Sequence, residues 1–99
     1  MSSIHQDNER ATQVAGILKA LGHPLRIRIV SALVNLGPCH VSRLSELLEV
    51  GQSIVSQHLR ILRMQHLVSS TRRDGFAWYS LAEPRLVDLL GCLEGCQLH

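Results

Sequence analysis

The sequence predicts a mainly α-helical domain that carries one small β-hairpin. Of the 99 residues, 45% are hydrophobic but only three are aromatic, so the core consists of Leu, Ile, Val and Ala, as in stacked helices. Apolar residues recur at helical spacing over most of the chain. That spacing stops around Asp74-Gly75, a dipeptide typical of a two-residue hairpin turn. The length predicts a single domain over residues 1–99, with residues 1–7 flexible.

Two helices are predicted in the first part of the chain. Residues 8–21 form the first, and Gly22 ends it. Pro24 begins the second, because the first helical position needs no N–H donor. The second helix extends over residues 24–36 and is apolar on most of its sides, which predicts a central, buried helix. His23, directly before Pro24, is expected to cap or pack against this helix start.

Residues 42–65 predict two further helices joined by a tight turn. Ser42 is a suitable N-cap for the short third helix, and residues 49–51 form the turn. The fourth helix covers residues 52–65. A short apolar helix, a turn with glycine and a second helix are typical of a helix-turn-helix, the motif that places its second helix in the major groove of DNA.

The fourth helix has one apolar and one polar side. At 3.6 residues per turn, Val55, Leu59 and Leu62 form an apolar stripe. The opposite side has no acidic residue and offers the hydroxyl, amide and guanidinium groups that pair with base edges and phosphates. His58, at the flank, is expected to pack against the third helix; contact with a phosphate is the alternative. We expect the DNA contacts to come from Gln52, Ser53, Ser56, Gln57, Arg60 and Arg63.

Residues 67–81 predict a wing, formed by short strands at 67–73 and 76–81. Arg72 and Arg73 precede its tip and are expected to reach the DNA backbone or minor groove; a solvated, charged hairpin is the alternative. Pro84 begins a last helix over residues 84–96. The predicted order is four helices, the hairpin and a fifth helix, which is the winged helix-turn-helix arrangement.

Three segments together resemble the ArsR/SmtB family of winged helix-turn-helix repressors. They are LGHPLRIRIV at 21–30, QSIVSQHLRILR at 52–63, and Asp74-Gly75 with WYSL at 78–81. The resemblance covers about residues 8–96. It implies a homodimeric repressor that releases its operator when an inducer binds or modifies it. It also implies that residues 8–21 and 84–96 form the dimer interface.

A two-fold symmetric dimer predicts an inverted-repeat operator. The resemblance also shows departures from the family pattern. The family's usual Arg after the wing glycine is Phe76 here, which weakens one expected backbone contact. A Cys-x-Cys metal site of the family corresponds to His40 and Ser42, and a second site on the last helix has Leu90 in place of a histidine two residues after Asp88. Neither metal site can be carried over.

Cys92 and Cys96 remain as candidate sensor residues, because they lie four apart on one side of the last helix, with His99 three residues further on. Such a thiolate pair can bind As(III), Cd(II) or Zn(II) as an inducer if a third ligand arrives from elsewhere. Alternatively, the pair senses oxidants. A third interpretation is close helix packing, since Gly91 and Gly95 accompany the cysteines. Candidates for the third ligand are Cys39, His40 and His5; an inert loop thiol is the competing interpretation of Cys39.

Operator DNA and a second copy of the chain are therefore the expected partners. The competing class is a winged-helix module that binds protein without DNA, against which Arg60, Arg72 and Arg73 argue by lying on one side. An enzyme has little support, because no nucleophile–base pair, phosphate loop or paired carboxylates appear. The absence of a targeting segment or long apolar run, and three cysteines in a short chain, favour a cytoplasmic protein with reduced thiols and no membrane contact.

Overall fold

The computed structural model describes the backbone of residues 8–97 and the side chains of residues 8–91. Within that part of the chain, five helices and three strands confirm the predicted winged helix-turn-helix order, with one short strand that the sequence did not predict. The predicted flexible segment 1–7 lies outside the described residues. The elements are α1 (Asn8–Ala20), α2 (Pro24–Leu36), β1 (Cys39–His40), α3 (Val41–Leu48), α4 (Gln52–Met64), β2 (Val68–Arg73), β3 (Phe76–Leu81) and α5 (Arg85–Gln97).

Helix α2 lies at the centre of the fold. His23 is its N-cap, and the side-chain Nδ1 accepts a 3.1 Å hydrogen bond from the N–H of Leu25, as expected for a capping residue. Pro24 occupies the first turn, and Gly37 ends the helix with a φ of 80°, a conformation that glycine adopts without strain. The helix contributes Leu25, Ile29, Val30 and Leu33 to the core.

Helix α3 begins one residue earlier than predicted, and its N-cap is His40 rather than Ser42. The Nδ1 atom of His40 accepts a 3.3 Å hydrogen bond from the N–H of Arg43. The prediction was wrong because His40 is held in an extended conformation by its pairing with Trp78 in the sheet, so the chain turns into the helix directly after it. The imidazole Nδ1 of His40 satisfies the amide of Arg43, one of the first-turn donors that have no partner within the helix.

The turn between α3 and α4 is closed by local hydrogen bonds. The hydroxyl of Ser45 donates to the carbonyl of Val50 at 2.5 Å, and the N–H of Val50 donates back to the carbonyl of Ser45 at 3.3 Å. Glu49 has the left-handed conformation, with a φ of 56°, and Gly51 is extended. This geometry lets the apolar sides of α3 and α4 meet in the core, where Leu44, Leu48, Val55, Leu59 and Leu62 are buried.

The three strands form an antiparallel sheet in the order β1-β3-β2. Asp74 and Gly75 form the two-residue turn of the predicted hairpin, with φ values of 53° and 82°, as a type I′ turn requires. Side chains alternate between the two faces of the sheet. One face carries the buried Cys39 and Tyr79, which packs against the core; the other carries His40 and Trp78.

Helix α5 covers one end of α2 with the buried Leu86 and Leu90. The side chain of Glu83 caps α5, since its carboxylate accepts a 3.0 Å hydrogen bond from the N–H of Arg85. Helix α1 buries only Ala20 along its length, and Leu18 is 52% exposed. No helix within residues 8–97 is both long and apolar enough to cross a membrane.

Candidate nucleic-acid interface

Helix α4 presents the polar side that the sequence predicts. Val55, Leu59 and Leu62 are fully buried, which fixes the rotation of the helix about its own axis. The open side carries hydrogen-bond donors and acceptors, two guanidinium groups and no carboxylate. Its members are all exposed: Gln52, Ser53, Ser56, Gln57, Arg60 and Arg63. The structure therefore brings all six predicted residues of this helix to one accessible surface.

The first turn of α4 is also open. Gly51 is its N-cap and has no side chain, so no side-chain cap covers the first amides. Free N–H groups at a helix start attract a phosphate, and the helix dipole adds a partial positive charge there. Ile54 lies in this turn and is 46% exposed. Sequence reasoning missed this residue; the available signal was an apolar side chain outside the buried stripe, where it can contact a thymine methyl group.

His58 connects α4 to α2, not to α3 as expected from the sequence. Its Nδ1 accepts a 3.1 Å hydrogen bond from Nε of Arg26, and its ring lies 4.6 Å from that of His23, centroid to centroid. Burial, the neighbouring His23 and the Arg26 charge all lower the pKa of His58. The prediction was wrong because the partner is an arginine 32 residues away in sequence, which helix periodicity cannot identify.

The two wing arginines point to opposite faces of the hairpin. Arg73 pairs with Phe76 beside the turn, and Arg72 pairs with Ala77, so successive side chains alternate. Both are exposed. The guanidinium carbon of Arg73 lies 5.0 Å from the centroid of the Trp78 ring. The prediction that Arg72 and Arg73 lie on one side together with Arg60 was wrong for this pair, because successive strand residues alternate faces. Among the described contacts, only Arg73 has an aromatic neighbour.

Trp78 belongs to an aromatic cluster that also contains His40 and Phe76. The His40 ring is stacked on Phe76 at 5.2 Å and meets Trp78 edge-on at 5.0 Å, between centroids. Behind this cluster is a cavity of about 240 Å³ that Cys39 and Arg43 also line. Sequence reasoning did not anticipate the cluster, because it depends on pairing between β1 and β3.

The thiol of Cys39 is buried in the sheet and donates a 3.5 Å hydrogen bond to the carbonyl of Gly37. Burial raises the pKa of this thiol, and the Arg43 charge only partly offsets the effect. Among the described side chains, no group of three or more His, Cys, Asp or Glu residues could hold a metal ion. The side chains of Cys92 and Cys96 lie outside the described set, as does His99.

Comparisons with known proteins find relatives among bacterial transcriptional regulators. A sequence profile of the arsR family of bacterial regulatory proteins matches residues 23–70. The biofilm growth-associated repressor of Xylella fastidiosa strain Temecula1 is 35% identical over 85 residues, 86% of this chain and 74% of that protein. The HTH-type transcriptional regulator NmtR of Mycobacterium tuberculosis is 40% identical over 84 residues, 85% of this chain and 69% of that protein. The crystal structure of the transcriptional repressor BigR from Xylella fastidiosa superposes with a TM-score of 0.87 at 32% identity, covering 96% of each chain.

Proposed function

This chain belongs to the ArsR family of winged helix-turn-helix transcriptional repressors, and we propose that it binds an inverted-repeat operator as a homodimer and releases it in response to an inducer. The family consists of transcriptional regulators rather than enzymes. The observation that carries the proposal is the open side of α4, which is exposed, free of carboxylates and fixed in rotation by three fully buried residues.

Each residue of this surface has a role that its chemistry suits. Gln57 lies in the middle of the open side, where an amide can pair with an adenine edge. Ser53, Ser56 and the open first turn suit phosphate contacts that set the position of the helix. Arg60 and Arg63 follow toward the helix end, where a guanidinium can bind a guanine edge or a phosphate. Gln52 begins the helix, and Arg72 and Arg73 add positive charge on the two faces of the wing.

Dimerisation through α1 and α5, residues 8–21 and 84–96, is the second part of the proposal. Support comes from apolar side chains that the single chain leaves uncovered, such as Leu18, 52% exposed, and Val87, 48% exposed. An apolar cavity of about 210 Å³ lies between the two helices, lined by Val14, Ile17, Leu18, Arg85 and Leu89. A second copy seated here would place the two α4 helices on half-sites about 34 Å apart, one turn of DNA.

The inducer is the third part, and its proposed sensor is the pair Cys92 and Cys96, with His99 nearby. Both cysteines belong to α5, one helical turn apart. The described residues do not offer a metal site in their place: the thiol of Cys39 is buried, which raises its pKa, and His40 is engaged as a helix cap. A thiophilic ion, As(III), Cd(II) or Zn(II), and a thiol oxidant are the inducers that such a pair can sense.

The proposal is tested by first selecting an operator from a random-sequence DNA pool and then titrating it with protein, using fluorescence anisotropy. We expect an enriched inverted repeat and an affinity that falls steeply with salt, because bound phosphates release counterions. A scrambled duplex of the same composition is the control. Lack of any enriched sequence, or an affinity indifferent to both salt and sequence, contradicts DNA binding and favours the protein-binding alternative.

The inducer is tested on the bound complex with a panel of thiophilic ions and oxidants. We expect at least one to release the operator from the wild type but not from the double variant Cys92→Ser/Cys96→Ser. Cys39→Ser is the control variant and should still release. Release that survives in the double variant with every member of the panel contradicts the thiol sensor without affecting the DNA-binding proposal.

A further inference from the structure

One face of the sheet carries a continuous row of side chains that runs from the start of α3 to the tip of the wing. His40 pairs with Trp78 across β1 and β3, and Thr71 pairs with Trp78 across β3 and β2. Two residues nearer the tip, Arg73 pairs with Phe76. Because side chains two apart on a strand share a face, Trp78 is a diagonal neighbour of Arg73.

Trp78 contacts both the side chain and the backbone of Arg73. The guanidinium lies over the indole ring, 5.0 Å from its centroid. The indole Nε1–H donates a 3.2 Å hydrogen bond to the carbonyl oxygen of Arg73. The first contact restricts the arginine rotamers through a cation–π attraction, and the second holds the last residue of β2 beside the turn.

Trp78 is itself held by the start of the helix-turn-helix. The ring of His40 meets the indole edge-on, with 5.0 Å between centroids, and the same ring stacks on Phe76. The other function of His40 is to cap α3 through Nδ1. The cap of α3 and the wing arginine therefore have one common neighbour, Trp78.

We infer that Trp78 is a positioning residue that fixes the guanidinium of Arg73 relative to α3, so that the wing and the helix-turn-helix bind DNA as one rigid unit. The inference rests on the proposed DNA binding. An arginine whose rotamers are already restricted loses less conformational entropy when it meets a phosphate. Phe76 stacks on the His40 ring, which in turn meets the Trp78 indole edge-on.

A double-mutant cycle on operator binding tests this inference. In the proposed homodimer Arg73→Ala removes one charge-assisted phosphate contact from each protomer, so binding should weaken about tenfold per protomer, about a hundredfold for the dimer, and the slope of log K against log salt should become shallower by about two. Trp78→Leu should cause a smaller loss, because the arginine charge remains, and this loss should largely disappear in the Arg73→Ala background. The matched cycle of Trp78→Leu with Arg72→Ala should be additive, because Arg72 lies on the other face.

Additive losses for Trp78→Leu and Arg73→Ala overturn the inference while leaving DNA binding intact. Failure of the wild type to bind any operator instead removes the proposed function. Should circular dichroism show that Trp78→Leu does not fold, Trp78→Val takes its place in the cycle; it also removes the ring but favours a strand, and coupling to Arg73 is again expected.

A second measurement needs no DNA. Trp78 is the single tryptophan of the chain, so its fluorescence reports on this cluster alone. Arg73→Ala and His40→Ala should each change the emission, and Arg72→Ala should leave it unchanged. Emission that is insensitive to both substitutions contradicts the contacts on which the inference depends.

Discussion

Arg26 on α2 donates a 3.1 Å hydrogen bond from Nε to Nδ1 of His58, a residue of the DNA-reading helix α4. The same guanidinium donates from Nη1 to the carbonyl of Ala20 at 2.9 Å, at the end of α1. One arginine therefore connects three helices, and it can do so only while His58 is neutral. With Nδ1 accepting, the neutral ring carries its proton on Nε2.

Protonation of His58 should destabilise the fold. Because burial, His23 and Arg26 lower the pKa of His58 below its ordinary value of 6.5, the folded state favours the neutral ring. The stabilisation is complete above pH 6.5 and is lost as the pH falls through the lower pKa of the folded state. In urea titrations at pH 7.5 and 5.5, His58→Asn, which keeps an acceptor near Nδ1 but does not titrate, should lose less unfolding free energy than the wild type.

His66→Asn serves as the control, since His66 is exposed and follows α4. This variant should lose as much stability on acidification as the wild type. If His58→Asn loses as much unfolding free energy on acidification as the wild type and His66→Asn do, the Arg26–His58 contact is not the source of the acid sensitivity.

The Arg26–His58 contact is one of the features that the sequence could not predict. The helix order, the α4 faces and the Asp74-Gly75 hairpin depend on periodicity and turn chemistry, which are local. The partner of His58 and the N-cap of α3 depend on tertiary pairing. Strand β1 is two residues long, too short for any alternation pattern, yet it decides that His40 rather than Ser42 caps α3.

Gln57→Ala should reduce operator affinity by about 1–3 kcal/mol and leave binding to random DNA nearly unchanged, because an amide that reads a base edge contributes discrimination. Anisotropy titrations on both duplexes measure this difference. Gln65→Ala is the matched control: it removes another exposed glutamine amide, at the C-cap of α4. Equal losses on operator and random DNA for Gln57→Ala would show that this residue does not read bases.

Cys39 should react slowly with a thiol-alkylating reagent in the native protein. Its side chain is buried, so the reagent reaches the thiol poorly, and its pKa is raised, so little of the nucleophilic thiolate is present at pH 7.5. Peptide mapping by mass spectrometry resolves its labelling from that of the other two cysteines. Labelling should become fast in urea. Equally fast labelling of the folded and unfolded chain contradicts the buried position and revives Cys39 as a sensor.

Glu83→Gln should lower the free energy of unfolding, because it weakens the N-terminal cap of α5. The carboxylate accepts hydrogen bonds from the N–H and Nε of Arg85, both at 3.0 Å, and these bonds lower the pKa of Glu83 from 4.5 to about 2. Its stabilisation is therefore present above pH 4.5 and is lost as the pH falls through about 2. Near neutral pH we expect a loss of about 1 kcal/mol, typical of a removed cap.

Urea titrations at pH 7 and pH 2.5 measure this effect. The difference in unfolding free energy between variant and wild type should be smaller at the lower pH. Glu46→Gln is the control, because Glu46 is an exposed carboxylate within α3 and caps no helix. A gap that persists unchanged at pH 2.5 would mean that Glu83 contributes through its shape rather than its charge.

Leu18→Glu should convert the protein to a monomer and weaken operator binding. Leu18 is 52% exposed and lines the apolar cavity between α1 and α5, so the proposed dimer would bury a carboxylate here among apolar side chains. Arg85, the cation that also lines this cavity, is already paired with Glu83. Leu36→Glu is a close control, since Leu36 is 51% exposed but belongs to the end of α2. Sedimentation should report a monomer for the first variant and a dimer for the second. A dimeric Leu18→Glu protein would show that the dimer interface lies elsewhere. A monomeric wild type that still binds the full operator would contradict the argument that a two-fold symmetric dimer binds an inverted repeat.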